Sequence, residues 1–424
     1  MSSPLATGLD AALGILPLHG TVQEYAWGAQ GTLARLLDRT PSGKPEAEYW
    51  LGAHPASPSL VELDGSMLPL DQLIAEAPTQ TLGAGRARHS LPFLLKLLAV
   101  GRPLSLQVHP SKKQAEAGFD REQDAGVPLD AGHRSYRDRN HKPEVLLPLE
   151  PTTAMSGVRQ PEEVGAALAS VAAAAAGAAL PPSLVDLGLG EATPDPAHWA
   201  ARLAKALRGV FSLSADAGAA LQRGLCEALP ADTPTGALLH QLAAAFPGDP
   251  TVVAALLLNQ VTLQPGEALY SGAGTLHAYV SGAGVELMAS SDNVLRAGLT
   301  PKHIDADELL AIADLRPSPP QTVTPGPAAP GTAAGSIESV YRTPAQEFQL
   351  SVVHLAQVPP RGADIPSGDG PEILLLLGDD ARVQLRWGDG ELELSRGGAV
   401  FVPAAVDAYQ IAGAGELYRA RLPN

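Results

Sequence analysis

The sequence predicts a mainly β protein with α-helices, built from two β units and a helical insertion. Residues 16–149 alternate short apolar and polar runs between Gly and Pro, a pattern typical of β-sheet. Residues 160–259 change to Ala and Leu at helix-compatible spacing, in blocks separated by prolines. Residues 337–424 alternate again after a Pro-rich segment. We therefore expect a helical block that interrupts the first β unit and a linker that precedes the second.

These shifts in composition set the predicted boundaries. They are a discontinuous catalytic β-barrel over 1–155 and 259–316, a helical insertion over 156–258, a Pro-rich linker over 317–336, and a second β-barrel over 337–424. A faint internal repeat supports the tandem arrangement. GAVFVPAAVDAY at 398–409 echoes GEALYSGAGTLHAY at 266–279 when two loop residues are dropped. Asp407 then stands where His277 stands, so only the first barrel keeps a metal-type histidine.

Composition excludes several classes of function. The chain of 424 residues carries a formal net charge of −16, which repels nucleic acid and anionic membranes. Its one cysteine, Cys226, rules out an internal disulfide framework and suits a reducing cytosol. The Ala-rich run 164–180 is short and weakly lipophilic, and the N-terminus lacks the features of a signal peptide. We expect a cytoplasmic monomer with neither nucleic-acid nor membrane partners.

Chemistry-bearing residues are concentrated in the stretch 264–302. Its Gly-rich alternation predicts a strand that carries His277, a tight turn at 281–284 and a second strand over 285–288. The next segment, SSDNVLRAG, lacks the scattered Lys and Glu of an ordinary solvated loop. This absence indicates that Asp292, Asn293 and Arg296 are turned toward something specific.

Four residues form the candidate metal site. Strand periodicity puts Gln107 and His109 on one polar face, together with Ser105. Glu144 opens an apolar strand, and His277 lies in the stretch described above. Two imidazoles, a carboxylate and a neutral oxygen donor fit a borderline divalent ion, if the strands pair in space. The alternative is four polar residues that are satisfied separately.

The sequence allows two interpretations at each of three further positions. Lys96 interrupts the apolar run LPFLLKLLAV, so it either snorkels from an edge or enters a polar cavity, and spacing does not decide between these. His54 could line a site, although a hydrogen-bonded structural role is favoured. For Trp50 a core position is favoured over stacking against a substrate.

Three motifs together resemble a known family. QVHP (107–110), YRDRNHKPE (136–144) and HAYVSGAGVELMASSDNVLRAGLTPK (277–302) closely resemble the type I mannose-6-phosphate isomerases, zinc enzymes of the cupin superfamily. The resemblance implies tandem cupin-like jelly-roll barrels and interconversion of mannose 6-phosphate with fructose 6-phosphate. It also implies an active-site Arg296 and one Zn²⁺ per chain. The implied zinc ligands are Gln107, His109, Glu144 and His277.

Aldose–ketose isomerisation requires a base that moves a proton between C2 and C1. It also requires a Lewis acid or cation for the enediolate oxygens and a cationic contact for the phosphate. Glu286 and Lys142 are the leading candidates for the base, with Lys302 and His141 behind them, and the sequence does not choose. The predicted substrate contacts are Ser105, Lys96, Lys302 and Asp292, with Arg296 as a further phosphate contact.

Two functions from other classes compete with the isomerase. A cupin oxygenase would hold iron in a similar barrel, but it would be expected to use more histidines, and Gln107 is a poor ligand for an open redox iron. A non-catalytic sugar-phosphate sensor would keep the pocket and lose the base. Turnover of the hexose phosphate separates these readings.

Overall fold

The structure is a computed structural model that describes residues 13–84, 90–174, 180–189, 195–328, 337–359, 361–368 and 370–423. Within these ranges the chain forms two 11-stranded sheets, a two-stranded sheet and a helical layer. This arrangement confirms the predicted fold class, mainly β with α.

The first part of the chain contributes eleven strands and four helices. In order they are β1 (Leu16–His19), β2 (Thr21–Gln23), β3 (Ala29–Gln30), α1 (Thr32–Leu36), β4 (Pro45–Glu46), β5 (Glu48–Leu51), β6 (Leu60–Leu63), β7 (Ser66–Pro69), α2 (Leu70–Glu76), α3 (Pro78–Leu82), β8 (Phe93–Val100), β9 (Leu106–Val108), α4 (Lys112–Asp124), β10 (Glu144–Pro148) and β11 (Thr152–Val158).

The remaining elements comprise the helical block and the strands after it. The helices are α5 (Pro161–Ala174), α6 (Pro182–Leu189), α7 (Pro196–Phe211), α8 (Ala215–Ala228), α9 (Pro234–Ala245) and α10 (Ala254–Leu257). The elements that follow are β12 (Leu258–Leu263), β13 (Ala268–Ser271), β14 (His277–Ala289), β15 (Leu295–Gly298), α11 (Ala306–Ile312), β16 (Gln321–Val323), β17 (Gly326–Pro327), β18 (Glu338–Tyr341), β19 (Gln349–His354), β20 (Ala363–Pro366), β21 (Glu372–Trp387), β22 (Gly390–Ser395), β23 (Ala399–Val402) and β24 (Ala408–Arg421).

The long strand β14 is the centre of the first sheet. It pairs with β9 and β11 near His277, and with β8 and β10 beyond Gly282. The predicted turn at 281–284 is therefore wrong. Gly282 has φ 114°, and a Cβ there would lie 2.2 Å from the Thr152 hydroxyl oxygen. The glycines bend one continuous strand between two sets of partners instead of reversing the chain.

The second sheet takes strands from both ends of the chain. β1 pairs with β23 and β6, and β6 forms a hairpin with β7. These three strands fall inside the segment predicted as the catalytic barrel, so the sheets do not follow the predicted boundaries. The predicted linker also contains strands, since β16 joins β13 and β17 joins β18. Its residues 329–336 lie outside the described part of the chain.

The two sheets share a hydrophobic core. Leu95 and Leu97 of β8 pack in one cluster with Val285 of β14 and with Ile373 and Leu375 of the second sheet. Side chains alternate along a strand, so Lys96 of β8 points to the opposite side, the inner face of the first sheet, where Leu98 packs. This alternation settles the open choice for Lys96 in favour of a polar interior.

The helical layer packs on the far side of the first sheet. Helix α5 buries Val164, Leu168 and Val171 at helical spacing, in a cluster that also contains Val108 of β9 and Leu295 of β15. None of the helices in the described residues is long and apolar enough to cross a membrane. The helices thus pack against the outer face of the strands whose inner face carries the candidate site.

Candidate metal centre and active site

Three of the four predicted metal ligands converge on the inner face of the first sheet. His109 and His277 each place Nε2 beside the Glu144 carboxylate, at 3.4 Å and 3.3 Å. All three side chains are buried, and their ligand atoms lie within 4.8 Å of one another. Both Nε2 atoms and Glu144 Oε2 lack a hydrogen-bond partner among the described residues. Buried polar atoms without partners are costly, and a bound cation removes that cost.

The backbone fixes the tautomer of each imidazole. His109 Nδ1 is 2.8 Å from the Asn293 carbonyl oxygen, and His277 Nδ1 is 2.9 Å from the Thr275 carbonyl oxygen. A carbonyl oxygen only accepts, so each Nδ1 carries the hydrogen and donates it. Both Nε2 lone pairs then face a carboxylate. Burial also lowers the pKa of His109 to about 4, which keeps the ring neutral. The donor set therefore suits a divalent cation.

Lys142 lies against this cluster. Its Nζ is 2.8 Å from Glu144 Oε1. Burial alone would raise the pKa of Glu144, but the neighbouring Lys142 and His109 lower it well below its usual value. Glu144 is thus an ionised carboxylate at neutral pH.

Strand register places Gln107 and Arg296 in the same row as His277. Gln107 of β9 is opposite His277 of β14 on one side and opposite Arg296 of β15 on the other. Paired residues in neighbouring strands share a face of the sheet, so all three lie on the face that carries the cluster. Gln107 and Ser105 are half-buried, and neither side chain forms a hydrogen bond with a described residue.

Asn293 joins the loop before β10 to the cluster. Its side-chain oxygen accepts from the backbone N–H of Arg137, and its side-chain nitrogen donates to the carbonyl oxygens of Asp138 and Asn140. Its backbone carbonyl oxygen accepts the hydrogen bond from His109 Nδ1 described above. The sequence indicated a specific role for Asn293, and the structure supplies it as the anchor between two predicted motifs.

A second ionic group lies in the same interior. Lys96 Nζ is 3.3 Å from Glu286 Oε2 and 3.7 Å from Glu48 Oε2. The indole N–H of Trp50 donates to the same Glu48 oxygen at 2.5 Å, and the Lys96 ammonium sits 5.2 Å from the Trp50 ring centroid. Lys96 is therefore engaged by two carboxylates, an environment that disfavours its predicted contact with a substrate phosphate.

Glu286 is the carboxylic acid with the most unusual environment in this interior. Burial and the negative charge of Glu144 raise its pKa to about 7, although Lys96 and Lys142 act in the opposite direction. Burial also raises the pKa of the nearby Tyr279 hydroxyl well above its usual value. A group that titrates near neutrality can both accept and return a proton.

Arg296, Lys302 and Arg137 form a group of positive charges, which we call the cationic rim. Burial and the charge of Arg137 lower the pKa of Arg296. The pKa of Lys302 is lowered by burial and by the charges of both arginines. None of Arg296, Lys302 and Arg137 forms an ion pair with a carboxylate among the described residues. Three cations without an acidic partner suit an anionic ligand.

Asp292 and His141 lie at the outer edge of the site. Asp292 Oδ1 is 3.2 Å from His54 Nε2, and His141 Nε2 is 2.9 Å from Glu347 Oε1. Both line a cavity of about 530 Å³, which Ser291 and Asn140 also line. His141 is thus already paired with a carboxylate.

Comparison with known proteins places this geometry in a family. Residues 15–161 match the model of the type I phosphomannose isomerase catalytic domain. The Escherichia coli K12 mannose-6-phosphate isomerase is 35% identical over 415 residues, which cover 95% of this chain and 98% of that protein. The rat mannose-6-phosphate isomerase is 33% identical and covers 92% of this chain and 93% of its own length. The chain belongs to the type I phosphomannose isomerase family.

Solved structures of the family have the same fold. A zinc-bound mannose 6-phosphate isomerase superposes with a TM-score of 0.85 at 32% identity, over 97% of this chain and 100% of the other. The resemblance stated from three motifs, and with it the tandem cupin-type fold, is confirmed.

The sequence patterns did not identify two residues of this site, Glu48 and Arg137. Glu48 received no role, although it pairs with Lys96. Arg137 lies inside the quoted motif YRDRNHKPE but was not singled out. His54 has the hydrogen-bonded role that the sequence favoured, and the structure identifies its partner as Asp292. One signal for Glu48 was available, because an acid two positions before Trp50 shares its strand face.

Proposed function

We propose that this protein interconverts mannose 6-phosphate and fructose 6-phosphate, by proton transfer through an enediol. The observation that carries the proposal is the buried cluster of His109, Glu144 and His277. Its three ligand atoms have no partner among the described residues, and it adjoins a carboxylic acid with a near-neutral pKa. Family membership supports the choice of substrate. The Glu286 environment favours catalysis over a sensor that only binds the sugar phosphate.

The cluster fits zinc, which is bound in a solved relative. In this chain His109, Glu144 and His277 would hold it, and the pairing of Gln107 with His277 supports Gln107 as the fourth ligand. Imidazole nitrogens, a carboxylate and a neutral oxygen donor are ligands that Zn²⁺ accepts. Bound zinc supplies a Lewis acid for a sugar oxygen.

Between the two leading candidates for the base we choose Glu286. Its pKa of about 7 lets the carboxylate take a proton from C2 and return it to C1 with little cost in either direction. Lys142 is held 2.8 Å from the Glu144 carboxylate, which positions it as a cation. In that role it stabilises negative charge that develops on the sugar oxygens.

The phosphate is assigned to the cationic rim. Arg296 offers a planar fork of donors, and Lys302 and Arg137 add positive charge beside it. The two carboxylate partners of Lys96 argue against this role for it. A phosphate held by these cations would anchor one end of the sugar while the other end meets Glu286.

The first prediction concerns removal of the metal. Purified protein should convert mannose 6-phosphate to fructose 6-phosphate in a coupled assay, and chelation should abolish turnover. Re-addition of Zn²⁺ should restore it, with about one metal per chain by elemental analysis. Glu144→Gln should lower the metal content and reduce kcat/KM by roughly a thousandfold, because it removes the anionic ligand.

The matched control is Glu62→Gln, an exposed carboxylate on β6, which should retain metal and turnover. Full activity in metal-free protein would contradict the metal assignment. Absence of turnover in the metal-loaded parent would contradict the isomerase function and favour the sensor.

A further inference from the structure

His54 and Asp292 form a contact that the proposed chemistry does not use. His54 Nε2 lies 3.2 Å from Asp292 Oδ1. The His54 side chain is 4% exposed and the Asp292 side chain is 47% exposed. A buried and therefore fixed imidazole thus holds a carboxylate that reaches solvent.

The backbone shows which form of His54 makes this contact. The amide N–H of Ala56 donates to His54 Nδ1 at 3.3 Å. An amide N–H only donates, so Nδ1 accepts and carries no hydrogen. The ring hydrogen is therefore on Nε2, and the contact is a hydrogen bond from neutral His54 to Asp292. In agreement, the pKa of Asp292 is lowered, chiefly by its hydrogen bond with His54.

The imidazole is itself held in place by the inner ionic group. It packs edge-on against Trp50, with ring centroids 4.9 Å apart and an interplanar angle of 70°. Trp50 in turn donates to Glu48 and lies beside the Lys96 ammonium. His54 therefore connects Asp292 to the same support that fixes Lys96 and Glu286.

Asp292 has one engaged oxygen and one available oxygen. Its backbone N–H donates to Asp138 Oδ2 at 2.7 Å, so the main chain is fixed. Oδ1 meets His54, while no described residue donates to Oδ2. Asp292 and His54 both line the cavity of about 530 Å³, with Asn140 beside them. An ionised carboxylate with one open oxygen at a cavity wall is a ready acceptor for a hydroxyl group.

We infer that His54 is a positioning residue, which orients Asp292 so that its free oxygen accepts a hydrogen bond from a hydroxyl of the sugar. The inference rests on the proposed function and adds a residue to it. Without His54 the carboxylate still ionises, but it rotates between rotamers and must be ordered again each time substrate binds.

A double-mutant cycle tests this role. His54→Leu fills the volume without a donor and should lower kcat/KM for mannose 6-phosphate by about tenfold or more. His54→Gln returns an N–H donor and should stay within about threefold of the parent. Asp292→Asn should be impaired, and adding His54→Leu to it should cause little further loss, because the two residues act through one contact. Metal content and melting temperature should match the parent.

Three outcomes would overturn the inference. His54→Leu could keep parental kcat/KM, lose as much in the Asp292→Asn background as alone, or prove equal to His54→Gln. If the leucine variant does not fold, His54→Ala, which only removes atoms, takes its place in the cycle. An exposed control, His19→Leu, should behave as the parent. Failure of the isomerase proposal itself is distinguished by an inactive parent enzyme.

Discussion

Two arginines, one in each sheet of this molecule, differ in how their charge is paired. In the second sheet, Arg419 is 1% exposed and donates to Glu372, to Glu338 and to the Pro366 carbonyl oxygen. In the first sheet, Arg296 is half-buried and has no carboxylate partner among the described residues. The charge of Arg419 is paired within the protein, whereas the charge of Arg296 is not paired with any described carboxylate.

The same contrast extends to the acids. Glu372 accepts from Arg419, from the Tyr409 hydroxyl at 2.9 Å and from the backbone N–H of Gly368 at 3.1 Å. Glu144, equally buried, keeps one oxygen without a described donor. Both acids lie on central strands of sheets with a related fold. The difference is therefore in the satisfaction of their hydrogen bonds and not in their burial.

This difference separates structural charge from functional charge. A buried ion network that satisfies all its members adds rigidity, and breaking it leaves an uncompensated charge. Polar atoms that stay unpaired in a native interior require another explanation, such as a bound ion, a water molecule or a catalytic role. Substitutions in the second sheet should thus reduce stability, and substitutions in the first should reduce activity.

The largest expected effect on stability is at Arg419. Arg419→Met keeps the length of the side chain and removes its charge. It therefore leaves Glu372 and Glu338 buried in the core without a cationic partner. The free energy of unfolding should fall by about 3 to 5 kcal/mol. Because the metal cluster lies on the other sheet, kcat/KM measured on the folded fraction should remain near the parent. Urea unfolding followed by fluorescence, with activity measured on the same samples, provides both values.

The matched control is Arg386→Met in β21, whose ion pair with Glu391 is exposed on both sides. Exposed pairs contribute little, so its unfolding free energy should change by less than about 1 kcal/mol. An Arg419 variant as stable as this control would show that the ion network around Arg419 does not stabilise the second sheet.

The next effect is at Arg296, where the loss should appear in catalysis. Arg296→Ala should reduce kcat/KM by about a hundredfold, which corresponds to roughly 3 kcal/mol of transition-state stabilisation. Metal content and unfolding free energy should be close to the parent, since no carboxylate loses its partner. Arg296→Lys should rescue little, because it keeps the charge and loses the fork of donors.

Arg316→Ala, which removes an exposed arginine paired with Asp314, is the control. Its kcat/KM and unfolding free energy should match the parent. If Arg296→Ala unfolds the protein or releases the metal, Arg296 is structural, and the contrast with Arg419 fails. Normal kinetics in that variant would remove Arg296 from the active site.

Local pattern was enough to predict the groups in the site but not all of their partners. His109, Glu144 and His277 lie in short motifs whose residue types fit a metal, so the sequence could name them. Strand alternation allowed either side for Lys96, and only the pairing of β8 with β14 decided it. The predicted turn at 281–284 failed because glycines mark bends as well as reversals.

Long-range pairing was the part that the sequence could not predict. Strand β1 joins β23 from the opposite end of the chain, and no local signal encodes such a register. His54 looked structural because its partner, Asp292, is far away in sequence. The Arg419 network was missed for the same reason, since Glu338, Glu372 and Arg419 come from three separate strands.

The smallest expected effect compares two buried serines, one in each sheet. Ser351 of β19 donates to Glu338 Oε1 at 2.6 Å, whereas the Ser156 hydroxyl of β11 has no partner among the described residues. Both side chains are almost completely buried. Ser351→Ala removes a hydrogen bond to a buried carboxylate and should lower the unfolding free energy by about 1 to 3 kcal/mol. Ser156→Ala removes a hydroxyl that gains nothing from the protein, so its stability should change by less than about 0.5 kcal/mol or rise slightly.

The pair of serine variants tests the comparison where neither catalysis nor net charge intervenes. Chemical denaturation of the metal-loaded protein gives both values under identical conditions, and equal slopes against denaturant exclude a change in the unfolded state. A loss at Ser156 as large as that at Ser351 would mean that the first sheet also satisfies its buried hydroxyls, through water or through the metal site. A drop in kcat/KM for Ser156→Ala without a loss of stability would instead sharpen the contrast. Ser156 is opposite His277 in the β11–β14 pairing, and its unpaired hydroxyl would then be one more group in the first sheet whose partner is the substrate.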